Sequence, residues 1–264
     1  MSQKKRQNSC ENNEMKPLII ANWKMNPSNI GEARQLFEAV GKGMTEIDGI
    51  EVVICPPFVY LSQLQTKNYK LKTGGQDCFW EDQGPYTGEV SPVMLRNLGC
   101  AYVILGHSER EQFLKETMDM VQRKVKSALI AGLVPVVCLG DYDADDRNSE
   151  LGAKMRGILE GLSLKDLSKI VLVYEPSWAI STNPGSRFAT AKDVKDAVTF
   201  MRSLLQEMFG QMVAKNTPIL YGGSVDSKNI TEFLGDDTTQ GALVGGASLD
   251  AKEFIALVRN AANV

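Results

Sequence analysis

The chain has 264 residues, 43% of them hydrophobic and 23% charged, with 29 basic against 32 acidic side chains and a net charge of −3. That balance describes a folded globular protein; it excludes an intrinsically disordered chain and argues against a polyanionic partner such as nucleic acid. The longest apolar runs, Val134 to Leu139 and Ile170 to Tyr174, fall far short of the roughly 20 residues that a membrane-spanning helix requires, so no membrane association is expected.

Residues 1–14 (MSQKKRQNSCENNE) are polar, and the apolar PLII beyond them is too short for the core of a secretory signal. They read as a disordered tail ahead of a folded domain spanning 15–264. From Pro17 onward a short β-type run recurs, each followed by a turn and a helix-type segment. The runs are PLIIAN at Pro17, EVVIC at Glu51, LKTGGQ at Leu71, YVILG at Tyr102, PVVCLG at Pro135, IVLVYE at Ile170, PILYGG at Pro218 and GALVGG at Gly241. Between them, apolar residues at three- and four-residue steps predict helices over Ile30 to Met44, Glu109 to Ala131, Thr190 to Phe209 and Ala251 to Ala262.

Continuous apolar strands alternating with helices imply a parallel sheet buried on both faces. Eight such units match a single-domain α/β fold, a closed (β/α)8 barrel of roughly 250 residues. A doubly wound open sheet is the rival, but it would carry a glycine-rich phosphate turn after its first strand, where this chain reads ANWKMN.

In a barrel of this kind the working residues sit at the C-terminal ends of the strands. Asn22 and Lys24 end the first strand, His107 the fourth, Glu175 the sixth, Ser224 the seventh, and Gly245 with Gly246 the eighth. Singly, each has a plain structural explanation: a packed histidine, a carboxylate capping a turn, a solvated lysine, tight glycine turns. Their common position at strand ends argues otherwise. Glycine-rich turns let successive backbone N–H groups hold a phosphate. A carboxylate base, an imidazole and an ammonium then suit proton transfer beside a carbonyl. No cofactor is called for, and one histidine with five scattered cysteines makes a metal site unexpected. The same cysteines, odd in number and without a C-x-x-C pair, fit free thiols in a reducing cytoplasm.

Five motifs in series, ANWKMN, LGHSER, YEPSWAI, YGGSV and ALVGGASL, resemble those of the triosephosphate isomerase family, from Pro17 to the C-terminus. The resemblance implies a TIM barrel, a cofactor-independent isomerase of glycolysis and gluconeogenesis, and a triose phosphate substrate. It implies Glu175 as the base shuttling a proton between C1 and C2. It makes His107 a neutral electrophile, Lys24 an electrostatic anchor, Asn22 a hydrogen-bonding partner near the carbonyl and Glu109 a residue behind them. The N–H groups of Ser181, Ser224, Gly245 and Gly246 would bind phosphate. It also implies a homodimer in which the loop DQGPYTGEVS, with Thr87, enters the neighbouring site.

The loop after the sixth strand departs from the family pattern. It reads WAISTNPGSRFAT, with Ser181 and Asn183 in place of glycines and about three extra residues, which removes low-cost positive-φ conformations. Ser177 stands where the family tends to have an apolar hinge residue. Isomerisation with altered loop closure is therefore expected. DYDADDRNSE at Asp141 imitates a calcium loop but has Asp146 where glycine is needed and Gly152 where glutamate belongs, so it reads as a solvated loop. Two other functions stay open: a phosphosugar lyase or synthase, whose Schiff-base residue could only be Lys24, and a non-catalytic protein that keeps the fold.

Overall fold

The computed structural model describes residues 16–64, 69–141, 146–179, 187–235 and 238–264. The expected tail, and the substituted loop positions Ser181 and Asn183, lie outside the described residues. Eight strands form a closed parallel barrel in chain order: β1 (Leu18–Asn22), β2 (Glu51–Cys55), β3 (Lys72–Gly75), β4 (Tyr102–Leu105), β5 (Val134–Leu139), β6 (Val171–Tyr174), β7 (Ile219–Tyr221) and β8 (Gly241–Val244). Seven of the eight expected runs each contain one of them, and the eighth, PVVCLG, misses only the first residue of β5, Val134.

Both faces of each strand are apolar because both are covered. Leu18, Ile20, Val53, Cys55, Ile104, Val136, Cys138, Val173 and Leu243 fill the barrel interior. Ile19, Ala21, Val52 and Ile54 face outward into the layer shared with Phe37, Val40, Phe254 and Leu257 of the surrounding helices. At about 1.5–3 kcal/mol for each large apolar side chain removed from water, losing either face would leave the strand without its driving force.

The ring closes between β8 and β1, where Gly241 pairs with Leu18. Gly241 has φ of 153°, and a Cβ there would meet the Leu18 carbonyl oxygen at 1.9 Å. Only glycine lets these two backbones approach.

The helices are α1 (Ile30–Gly43), α2 (Phe58–Leu61), α3 (Pro92–Asn97), α4 (Ser108–Leu114), α5 (Met118–Ile130), α6 (Arg147–Leu159), α7 (Leu164–Leu167), α8 (Ala191–Phe209), α9 (Gln211–Asn216), α10 (Ile230–Phe233) and α11 (Ala251–Ala261). Three of the four expected helices agree within a residue or so. The fourth, Glu109 to Ala131, is two helices. Lys115 adopts a left-handed conformation (φ 57°, ψ 33°) that stops α4, and the Thr117 hydroxyl accepts the Met120 N–H to start α5.

That break turns Glu116 inward. Its carboxylate, 5% exposed, meets the ammonium of Lys124, 2% exposed, which also bonds both carboxylate oxygens of Asp77 at 2.8 and 2.9 Å. Arg110 completes the cluster at 2.8 Å from Asp77 and 3.3 Å from Glu116. A network joining β3's exit to α4 and α5 thus overrides a helical pattern that is continuous in the sequence.

Candidate active site

The first strand ends in a strained turn. The Asn22 side-chain oxygen accepts the Lys24 N–H at 3.0 Å, and Lys24 sits at φ 51°, a conformation that costs a non-glycine residue about 1 kcal/mol or more. Gln76, just past β3, holds that turn by donating to the carbonyls of Lys24 and Cys55, both at 2.8 Å. The Lys24 ammonium consequently reaches Glu109 at 2.5 Å. A Cβ built on Gly245 would lie 3.4 Å from Lys24 Cε, so the lysine stands between Glu109 and the turn after β8.

His107 follows β4 and Gly106, whose φ is 70°, and forms the N-cap of α4. Its Nδ1 accepts the Glu109 N–H at 3.2 Å. A lone pair is needed there, which assigns the ring proton to Nε2. Nε2 lies 2.9 Å from a carboxylate oxygen of Glu175. Glu175 itself is placed by its N–H bond to the Leu139 carbonyl at 2.9 Å and by Pro176, which disfavours helical backbone before it.

The Glu175 carboxylate is 2% exposed and receives two further donors, the Ser108 N–H at 3.2 Å and the Ser108 hydroxyl at 3.1 Å. Burial pushes its pKa up, but the imidazole and Ser108 outweigh burial and the net direction is down. For His107, burial works against a charged ring while Glu175 and Glu109 favour it; the net direction is up. The His107–Glu175 contact is common to both shifts. Cys138, beneath them in the barrel interior, has its thiol raised well above the usual value by burial, so it is no nucleophile.

Asn22, Lys24, His107, Glu175, Ser224, Gly245 and Gly246 all line one cavity of about 330 Å³. Glu109 stands behind Lys24 and His107 rather than on the wall. Ser181 lies outside the described residues. Among the described residues, the backbone N–H groups of Ser224, Gly245 and Gly246 have no protein acceptor outside regular secondary structure, which leaves three donors among the residues that line the cavity. The loop carrying Ser224 is held by Asn229, which donates to the Ser224 carbonyl at 3.2 Å and accepts the Asp226 N–H at 2.9 Å.

Several residues at this site carry no mark in the sequence. Ser108 could have been suspected from its place directly after His107. Gln76 and Asn229 act through loop geometry alone. Asp141, expected in a solvated loop, is fully buried: its carboxylate accepts the Trp178 indole N–H at 2.7 Å and the Tyr174 hydroxyl at 3.1 Å. The rest of the imagined calcium loop, 142–145, lies outside the described residues.

A parallel barrel with a carboxylate, an imidazole and an ammonium around one cavity, and backbone donors after its last two strands, defines a (β/α)8 enzyme of general acid–base chemistry. A sequence profile described as triosephosphate isomerase matches residues 17–261. The chain is similar to the triosephosphate isomerase of Dehalococcoides mccartyi strain CBDB1, 44% identical over 255 residues that cover 94% of this chain and 98% of the relative. It is 40% identical over 252 residues to that of Dictyoglomus thermophilum and 39% identical over 249 residues to that of Alkaliphilus oremlandii, each covering 92% of this chain and 98% of the relative. The chain belongs to the triosephosphate isomerase family.

Proposed function

We infer that the protein is an aldose–ketose isomerase interconverting dihydroxyacetone phosphate and D-glyceraldehyde 3-phosphate, a step of glycolysis and gluconeogenesis. The observation that carries the residue roles is the meeting of Glu175, His107 and Lys24 with the backbone donors of Ser224, Gly245 and Gly246 around one cavity. In this reading the ionised Glu175 takes a proton from C1 of the ketose. The electron pair moves into the carbonyl, and His107 Nε2–H and the Lys24 ammonium stabilise the resulting enediolate oxygen, with Asn22 beside them. A proton passes from the C1 hydroxyl to the C2 oxygen by way of His107, and Glu175 returns the carbon-bound proton to C2, leaving the aldehyde at C1. The phosphate rests on the N–H groups of Ser224, Gly245 and Gly246, and Ser181 would add a fourth. No step requires a cofactor.

Swinging Glu175 toward substrate carbon removes the carboxylate that raises the His107 pKa. Burial and the N-terminus of α4 then favour the neutral imidazole, which is the form that donates without becoming a competing acid. The Lys24–Glu109 ion pair argues against the lyase reading, because a Schiff-base amine is activated by apolar or cationic neighbours rather than by a carboxylate.

Residues 15–264 form the catalytic domain in this proposal, and 1–14 a polar tail. The protein acts as a cytoplasmic homodimer through the loop around Thr87. What supports the dimer is the preparation of that loop: Phe79 stacks on Trp80 and Tyr86 at 4.0 and 4.7 Å, Arg123 lies 4.2 Å over Trp80, and Tyr86 remains 41% exposed. Among the described residues, four buried free thiols support the reducing compartment. Among the described residues, no helix is long and apolar enough to cross a membrane. A coupled assay on glyceraldehyde 3-phosphate tests the function; absence of turnover by the wild type would sink it.

A further inference from the structure

Glu175 lies in a five-residue segment, 174–178, that is gripped from below at three points. Asp141 accepts the Tyr174 hydroxyl at 3.1 Å, the Trp178 indole N–H at 2.7 Å and, on its carbonyl, the Ser177 N–H at 2.9 Å. The base therefore sits between two aromatic side chains tied to one buried carboxylate. From above, a second residue presses on the same indole. Arg187 donates its backbone N–H to the Trp178 carbonyl at 2.9 Å, and its guanidinium carbon stands 4.5 Å from the centre of the indole ring. Ser224 adds a bond from its hydroxyl to the Ala179 carbonyl at 2.9 Å.

We propose that Arg187 is a positioning residue for Glu175: stacked on Trp178, it clamps the indole against Asp141 and so fixes the 174–178 segment that carries the base. The inference rests on Glu175 being the base. Two features favour a specific clamp over a chance surface contact. First, the backbone bond and the cation–π contact converge on the same residue, so the guanidinium is aimed by its own main chain. Second, the nearby carboxylate that could draw the guanidinium away, Asp193, is committed to the cap of α8, accepting the Thr190 N–H at 2.9 Å and hydroxyl at 2.7 Å. Among the described residues, no hydrogen bond joins Arg187 to Ser224, Gly245 or Gly246, so its effect belongs to proton transfer rather than to the phosphate contacts of those three.

The test compares Arg187→Ala, Arg187→Met and Arg187→Lys in the full-length protein. The readouts are kcat and KM for glyceraldehyde 3-phosphate and the indole 1H–15N resonance of Trp178, identified by its loss in Trp178→Phe. An exposed cation–π contact predicts a fall in kcat of about 2- to 5-fold in Arg187→Ala and Arg187→Met, with KM unchanged and the Trp178 resonance shifted. Arg187→Lys, which keeps the charge but not the planar fork, should recover part of both. An unchanged kcat, a change confined to KM, or a fall in kcat with the Trp178 resonance unmoved would each overturn the proposal. Wild-type inactivity would instead overturn the isomerase reading, so the two failures are distinct.

Discussion

Replacing Glu175 with aspartate shortens the side chain by one carbon–carbon bond, about 1.5 Å. In the structure the carboxylate is held by contacts of 2.9 Å to His107 and 3.1–3.2 Å to Ser108, on a backbone fixed through Leu139 and Pro176. The main chain cannot follow the shortened side chain inward, so most of the retraction reaches the reacting carbon. At about 100-fold for each ångström of misplacement, kcat should fall by about 10²- to 10³-fold, equivalent to roughly 3–4 kcal/mol in the barrier. KM should stay within about threefold, because the phosphate donors and Lys24 are untouched. Glu175→Gln keeps the length and loses the basicity, and should cost about 10²- to 10⁴-fold. Initial rates in the coupled assay give both constants. A Glu175→Asp enzyme within tenfold of wild-type kcat, or one whose loss lies in KM, would refute the placement of the base.

His107→Gln retains an N–H donor but misaims it, and should lower kcat by about 10²- to 10³-fold with little change in KM, measured in the same assay. In Gly140→Ala the new methyl would lie 2.2 Å from the Glu175 carbonyl oxygen, so β5 and β6 must separate. A loss of about 1–3 kcal/mol in a urea melt is expected, together with reduced kcat. Burial, opposed by Lys124 and Arg110, pushes the Asp77 pKa from 3.8 up to about 6. Its folded value exceeds its unfolded one, so this group's stabilising contribution is complete below the unfolded pKa and is lost as pH rises through the folded value. Relative to Asp77→Asn, wild-type stability should therefore decline by up to about 3 kcal/mol as pH rises from below 3.8 through about 6, and then level off; a pH-independent difference would contradict this.

The eight-fold alternation of strand and helix was legible in the sequence because it rests on local periodicity and on apolar runs that require cover on both faces. The strand-end positions of Asn22, Lys24, His107, Glu175, Ser224, Gly245 and Gly246 followed from the same alternation, since a barrel gathers all such ends at one mouth. Other features depend on contacts between distant segments, and no local pattern announces them. The apolar spacing from Glu109 to Ala131 is continuous, yet α4 ends at Lys115 so that Glu116 can meet Lys124. Asp141 reads as the start of a polar loop, yet it is buried under Trp178 and Tyr174. The sequence by itself determined which residues alternate, turn and carry chemistry, because those are properties of short stretches. Only the tertiary structure decided which carboxylate faces which donor, because burial and ionic partnership are set by chain segments that meet only after the barrel has closed.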